Sequence, residues 1–309
     1  MSQKMLPQKK WIDNRDWVAY NEKLVKRGEL LLSLDFLDTW DQELNSLNQN
    51  KVGRRYQYPW TFIKFLMFIH IIFGLPYRQL EGFVRRLSEL VPQVKPINYT
   101  NIWKRGTKLD IDLAETIAES DEPVVIAIDS SGIKVANRGD WIREEWDVHR
   151  GWIKVHIAVN AETKEIIGIE VTDEHVGDCT MFEPVIEQAE NNLKDVDIEK
   201  VLDDGAYDAN DNFDILNNKN IVSGIKIRQN ASTETKGSPS RKKYVKEFKD
   251  LKYTQWRDKY DYGQRWAVEC VFSAVKRITG EFVTASKTEN MLQEAMLKFI
   301  FYNILINIT

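Results

Sequence analysis

Four polar residues recur at fixed steps toward the C-terminal end of the chain: Tyr262, Arg265, Glu269 and Lys276. The steps are three, four and seven residues. At about 100° per helical residue they return all four side chains to within roughly 60° of arc. One helix edge would then present a hydroxyl, a guanidinium, a carboxylate and an ammonium, with Val268, Val271, Phe272 and Val275 on the other faces as core contacts. A carboxylate flanked by two cations suits a site that holds a metal ion and a phosphate together. The same spacing also serves a surface helix with solvated i,i+4 ion pairs.

Such a helix needs partners, and the preceding sequence supplies two acids. Val124–Ile128 is a continuous apolar run, the pattern of a strand buried on both faces. It is expected to end in Asp129-Ser-Ser-Gly132, either as the mouth of a sheet or as a simple Asx-turn. Trp152–Val159 and Glu165–Val171 alternate apolar and polar residues about a turn, an antiparallel hairpin. A helix follows from Asp178 to about Asn192. A short strand, Ile198–Leu202, then ends in Asp203-Asp204-Gly-Ala-Tyr-Asp208. Beyond it come a helix at 210–217, a strand at 221–227 and a basic, Ser/Thr/Lys-rich insertion at about 229–260, expected to be mobile without its partner. Three antiparallel strands followed by β/α units is the ribonuclease-H-like order. The expected fold is therefore α/β, a mixed five-stranded sheet with flanking helices, over residues 120–309.

Residues 1–115 read as a small all-α domain. Pro59 is placed to start a helix that runs to Phe73, with Gly74 as its stop. Leu75–Leu90 has helical periodicity, Pro92 and Pro96 break the chain, and Asn98–Arg105 forms a short polar, basic helix. Two helices about a proline-punctuated turn, within about 75–108, resemble a helix-turn-helix DNA reader; a plain helical bundle is the alternative. Asn98, Thr100, Lys104 and Arg105 are its candidate DNA contacts.

Charge supports that division. The formal net charge of −4 excludes a uniformly basic coat. Yet residues 51–108 hold 11 Lys and Arg against 2 Asp and Glu, residues 109–221 hold 9 against 28, and residues 222–260 hold 11 against 4. Two basic zones flank an acidic middle, suited to phosphate and to divalent cations respectively. Cys179 and Cys270 have no Cys/His spacing for zinc and fit a reducing cytosol. No apolar stretch follows Lys9 and Lys10 as a secretory signal would require, and the apolar runs at 60–73 and 291–308 are interrupted by polar residues. No membrane association is expected, and the chain is expected in the cytoplasm, associated with the nucleoid.

Asp129, Asp204 and Glu269 stand out by position. Adjacent first and fourth strands would bring the aspartates together, and a helix packed across the sheet would bring Glu269 opposite. Three hard oxygen donors suit Mg²⁺ or Mn²⁺ held jointly with phosphate oxygens. Without a cation such carboxylates repel and one takes up a proton. With two ions, one activates the attacking oxygen and the other stabilises the leaving oxygen of a phosphodiester. No Ser or Cys stands beside a His in a turn that would make it a nucleophile.

Tyr262-x2-Arg265-x3-Glu269-x6-Lys276 resembles the Y-R-E-K signature of DDE transposases from bacterial and archaeal insertion sequences. Strand-Asp129-Ser-Ser-Gly and Asp204-Gly-Ala-Tyr-Asp208 resemble that family's first two acidic motifs. The resemblance implies a catalytic core that binds terminal inverted repeats, cuts transposon ends and joins them to target DNA as a homodimer. It implies Asp129, Asp204 and Glu269 as ligands of two Mg²⁺ or Mn²⁺ ions per site. It makes Arg265 and Lys276 phosphate grips, and Tyr262 a DNA-backbone contact or an orienter of Glu269. Gly205 and Ala206 stand where the family usually has lysine and glycine, and Asp203 rivals Asp204, although the spacing to Tyr207 favours Asp204. A metal-dependent nuclease of the same fold and a non-catalytic DNA-binding relative are the alternatives.

Other residues carry weaker readings. His156 is expected to be structural. His175 and Asp178 are either a pair near the metals or, for Asp178, a helix N-cap. Trp141, Trp146 and Trp152 are expected in the core or stacked on an unpaired base. Lys236, Arg241, Lys242, Lys243 and Lys246 form a basic run expected on the DNA backbone.

Overall fold

β1 (Val124–Val135) is the central strand of the computed structural model, which describes residues 15–135, 151–234 and 237–308. Apolar residues at 124–128 bury it on both faces, as a central strand requires. It does not stop at Asp129. β2 (Trp152–Asn160) pairs with it antiparallel from Ile126–Asn160 to Lys134–Trp152, and this ladder carries the strand through Asp129-Ser-Ser-Gly132. Small polar residues such as these read as a turn from sequence, where the pairing with β2 is not visible. Gly132 belongs to the ladder too, since a Cβ there would stand 2.7 Å from the Trp152 ring.

The sheet order is β3-β2-β1-β4-β5, with β3 (Ile166–Asp173), β4 (Ile198–Asp203) and β5 (Val222–Ile225). β3 runs antiparallel to β2, and β4 and β5 run parallel to β1. This is the ribonuclease-H-like arrangement. A sixth strand, β6 (Phe282–Val283), pairs parallel with Lys134 and Val135, so the sheet has six strands rather than the expected five. Two residues are too few to show a period of two in the sequence. β4 pairs with β1 only as far as Ala127–Leu202, and β6 only from Lys134–Phe282. Between these points the described part of β1 has a ladder on the β2 side alone, and Asp129 stands in that gap.

Helices cover both faces. One face packs Ile126, Ile128 and Val201 against α6 (Asp178–Leu193), α7 (Asn210–Asn218) and α8 (Pro239–Asp250). The other packs Ile153, Val155, Ile157 and Val159 against α10 (Trp266–Thr279) and α11 (Thr288–Ile306). α9 (Tyr253–Lys259) leads into α10. The N-terminal helices are α1 (Trp17–Leu30), α2 (Trp40–Asn48), α3 (Trp60–Phe73), α4 (Tyr77–Leu90) and α5 (Tyr99–Gly106). α3 is apolar almost all round and buried from Phe62 to Ile69 except at Lys64. It stops at Gly74, whose φ of 62° favours glycine. α5 starts at Asn98, whose side chain accepts the Thr100 N–H at 2.8 Å, and Glu81 of α4 accepts the Tyr99 N–H at 2.8 Å. α3 shares one hydrophobic cluster with α10 and α11.

The stretch expected to be mobile instead carries α8 and α9. Ser238 caps α8 by accepting the Arg241 N–H at 3.1 Å, Pro239 starts the helix, and Val245 and Trp256 are buried. Its lysines sit on the outer side of a helix that the apolar residues anchor. No described helix is long and apolar enough to cross a membrane.

Candidate active site

The Tyr262–Lys276 stretch is not one α-helix. Tyr262–Arg265 is a 3₁₀ turn and α10 begins at Trp266. The tighter winding alters the angle between Tyr262 and the rest. Tyr262 is buried, packs on Trp256 with 4.9 Å between ring centroids, and donates its hydroxyl to the Asp203 carbonyl at 3.1 Å. Tyr262, expected to contact the DNA backbone or orient Glu269, here ties the start of α10 to the end of β4.

Arg265, Glu269 and Lys276 do meet β1. Arg265 Nη1 lies 3.3 Å from Asp129 Oδ2, and Nη2 donates to Glu269 one turn along α10. Lys276 Nζ donates to Ser131 Oγ at 2.7 Å. Asp129 and Ser131 share a sheet face by strand alternation, so α10 lies along the face that presents the first acid. Glu269 is therefore on the same side of the sheet as Asp129.

Burial pushes the Asp129 carboxyl above the usual range. The Ser130 N–H, at 2.8 Å, and Arg265 oppose that shift, while Asp204 and Asp178 add to it. Asp204 follows β4 directly, and its Oδ1 accepts the Ala206 N–H at 2.7 Å. Asp203 turns the other way. It is fully buried, neither carboxylate oxygen has a hydrogen-bond partner, and burial with Asp129 and Asp204 nearby raises it well above the ordinary value. The alternation that buries Asp203 leaves Asp204 partly exposed and beside Asp129.

Among the described residues no group of three or more His, Cys, Asp or Glu side chains stands ready-made for a metal ion. Arg265 accounts for this at Asp129 and Glu269, because its guanidinium lies between them. The donor set fits a hard divalent cation nonetheless. Asp129 is held against ionisation by burial and by Asp204, a penalty that a shared cation relieves.

Residues 120–304 match the family described as "Transposase DDE domain", and residues 25–138 match a second model of the same description. The chain belongs to the DDE transposases. It is a DDE-type polynucleotidyl transferase/endonuclease, and membership implies dependence on divalent metal ions. Solved structures similar to this transposase include the piggyBac transposase synaptic complex with hairpin DNA, at 10% identity and TM-score 0.44, covering 91% of this chain and 74% of that one. The Drosophila P element transposase strand transfer complex matches at 9% identity and TM-score 0.34, covering 91% and 70%.

The structure distributes the transposase's other sequence candidates unevenly. Lys104, Lys242, Lys243 and Lys246 are exposed, and Thr100 is half-buried. Asn98 spends its side chain as the α5 cap. Arg105 does not face outward: it donates to the Tyr58 carbonyl and stacks 4.1 Å from the Trp60 ring centroid. Arg241 is likewise committed, with Nε 2.7 Å from the buried carboxylate of Asp208. Both were expected on DNA; in this structure each makes its contacts within the fold. His156 is almost fully buried, with Nε2 3.1 Å from Thr172 Oγ1. His175 is exposed and does not pair with Asp178. Asp178 is the first helical residue of α6 and not its cap, which is Gly177. Trp152 lies at the edge of the site against Gly132; Trp141, Trp146 and Lys236 fall outside the described residues.

Sequence reasoning missed Ser131, Arg228 and Trp266. Arg228 donates from Nη2 to the Ala206 carbonyl at 2.8 Å and also to Gly205, gripping the segment just after Asp204. Trp266, between Arg265 and Glu269, is 68% exposed. A bulky aromatic next to the signature, off the apolar face of α10, was the available signal for it.

Proposed function

We propose that this transposase binds the terminal inverted repeats of its element, cleaves the transposon ends and joins them to target DNA. One observation carries the reading: α10 brings Arg265, Glu269 and Lys276 against the β1 face that presents Asp129, with Asp204 beside it. Asp129, Asp204 and Glu269 would hold two Mg²⁺ or Mn²⁺ ions, whose chemistry there would be to activate the attacking oxygen and stabilise the leaving oxygen of a phosphodiester. Arg265 and Lys276 grip the phosphates flanking the cut as charge-assisted donors. Exposed Trp266 offers a face for a base near the cleaved end.

Water attacks the phosphodiester at the element end and displaces its 3′-oxygen, and the freed 3′-hydroxyl then attacks a target phosphodiester and displaces the target strand's 3′-oxygen; the same carboxylates serve both steps. The exposed lysines of α8 and Lys104 of α5 supply backbone contacts along duplex DNA, with a helix-turn-helix reading of α4 and α5. Two copies act together, one at each end of the element. The reaction takes place at the nucleoid.

The test uses Asp129→Asn, Asp204→Asn and Glu269→Gln on element-end duplexes and on pre-cut ends with Mg²⁺. Each variant is expected to lose cleavage and strand joining while retaining end binding. Full cleavage by any variant removes that residue from the site, and cleavage without joining of pre-cut ends makes the enzyme a nuclease only.

A further inference from the structure

Two consecutive residues of one helix reach both acid-bearing segments. Asp178 and Cys179 open α6, on the opposite face of the sheet from α10. Asp178 Oδ1 accepts the Ser130 hydroxyl at 2.5 Å, and Ser130 follows Asp129 on β1. Ser130 also donates its backbone N–H to Asp129 Oδ1. Cys179 Sγ lies 3.1 Å from the Ala206 carbonyl, and Ala206 donates its own N–H to Asp204 Oδ1. Each metal-binding aspartate is therefore one residue-to-residue link from the first turn of α6. Lys154 of β2 completes the arrangement: its Nζ is 2.7 Å from Asp178 Oδ1 and donates to the Val176 carbonyl at 3.1 Å. The charge of Asp178 is thus neutralised inside the fold, and its carboxylate is held in one orientation.

We infer that Asp178 is a positioning residue, which with Cys179 fixes the separation of Asp129 and Asp204 across the gap between β1 and β4. This rests on the three-carboxylate reading of the site. The need for such a device follows from the topology: the β1–β4 ladder ends at Ala127–Leu202, just short of both aspartates. Backbone pairing therefore does not set their spacing, and α6 spans the break from behind. Groups that orient metal ligands from outside the coordination sphere change metal affinity by 10–100-fold when removed. Mg²⁺ demands near-ideal octahedral geometry, so displaced ligands handicap it most.

The experiment uses the full chain and its variants Asp178→Ala, Asp178→Asn, Ser130→Ala and the Ser130→Ala/Asp178→Ala double. Mn²⁺ affinity is read by titration calorimetry, thermal midpoint by scanning, and end cleavage in Mg²⁺ and in Mn²⁺. Asp178→Ala is expected to weaken Mn²⁺ binding about tenfold or more. The ratio of Mn²⁺-supported to Mg²⁺-supported cleavage should rise, and the double variant should be no worse than Asp178→Ala alone. Asp178→Asn, which keeps an acceptor for Ser130, should fall between the two and covers the case in which the alanine variant does not fold. Unchanged Mn²⁺ affinity, or additive losses from Ser130→Ala and Asp178→Ala, overturns the inference. Asp129→Asn separates the levels. If it abolishes Mn²⁺ binding and Asp178→Ala does not weaken it, the brace alone fails; if Asp129→Asn leaves binding intact, the three-carboxylate reading fails and the brace with it.

Discussion

Arg265 and Asp129, 136 residues apart in the chain, are joined between α10 and β1, with guanidinium Nη1 3.3 Å from carboxylate Oδ2. The same guanidinium holds Glu269, so one cation of the chain bridges two of the three acids. A metal ion entering this position must displace it. Arg265→Gln is therefore expected to bind Mn²⁺ about tenfold more tightly than the parent without DNA, roughly 1.4 kcal/mol, while cleaving element ends at least about tenfold more slowly. Titration calorimetry and a gel cleavage assay read the two effects. Weaker Mn²⁺ binding by the variant would show that the bridge assists the cation instead of competing with it.

Lys276 is anchored by Ser131 two positions along the face from Asp129. Its ammonium is placed to exchange that hydroxyl for a phosphate. Lys276→Gln should lower cleavage and reduce the salt dependence of end binding by close to one charge, a slope change of about 0.9 in log affinity against log salt. Anisotropy titrations at several salt concentrations measure the slope. Lost cleavage with an unchanged slope would mean that Lys276 supports the strand and does not touch DNA.

Arg105 and Lys104 are neighbours with opposite expected effects. Arg105 packs on Trp60 and bonds the Tyr58 carbonyl, so Arg105→Ala should destabilise the chain by roughly 1–3 kcal/mol. Lys104 is exposed, and Lys104→Ala should stay within about 0.5 kcal/mol of the parent in urea denaturation. Only Lys104→Ala should weaken DNA binding at full folding. The reverse pattern would return Arg105 to the DNA surface.

Acid sensitivity should trace to His156. Burial first, and then the adjacent ammonium of Lys154, lower its pKa to about 4 against the raising effect of Asp178. The folded value lies below the unfolded one, so His156 contributes stability that is complete above about pH 6.5 and is lost as pH falls toward 4. His156→Gln should flatten the fall of thermal midpoint across that window. An unchanged profile would move the acid transition to other groups.

Much of this was legible in the chain. The apolar run at 124–128 identified the central strand, and the order of strands identified the sheet. Arg265 bonds both Asp129 and Glu269, and Asp204 follows β4 directly, because strand alternation and helix period are local rules that the fold obeys. What the sequence hid was set by tertiary contacts. The strand continues through Asp129-Ser-Ser-Gly132 because β2 pairs with it, and Tyr262 turns inward because a 3₁₀ turn precedes α10. Arg105 and Arg241 looked like DNA contacts because a basic residue reads the same whether it meets phosphate or an internal acceptor. The β1 face opposite α10 was only partly visible: Asp178 read as a neighbour of the metals or as a helix cap, whereas Ser130 and Lys154 are unremarkable until β1, β2 and α6 bring them to it.

The gap in the sheet between β4 and β6 has a bearing on solubility. Open strand edges invite foreign strands to add on. Here the uncovered edge of β1 is closed by β4 at one end and by β6 at the other. An intruding strand could pair only with residues 128–133 before meeting β4 or β6, which limits how far it could extend along β1.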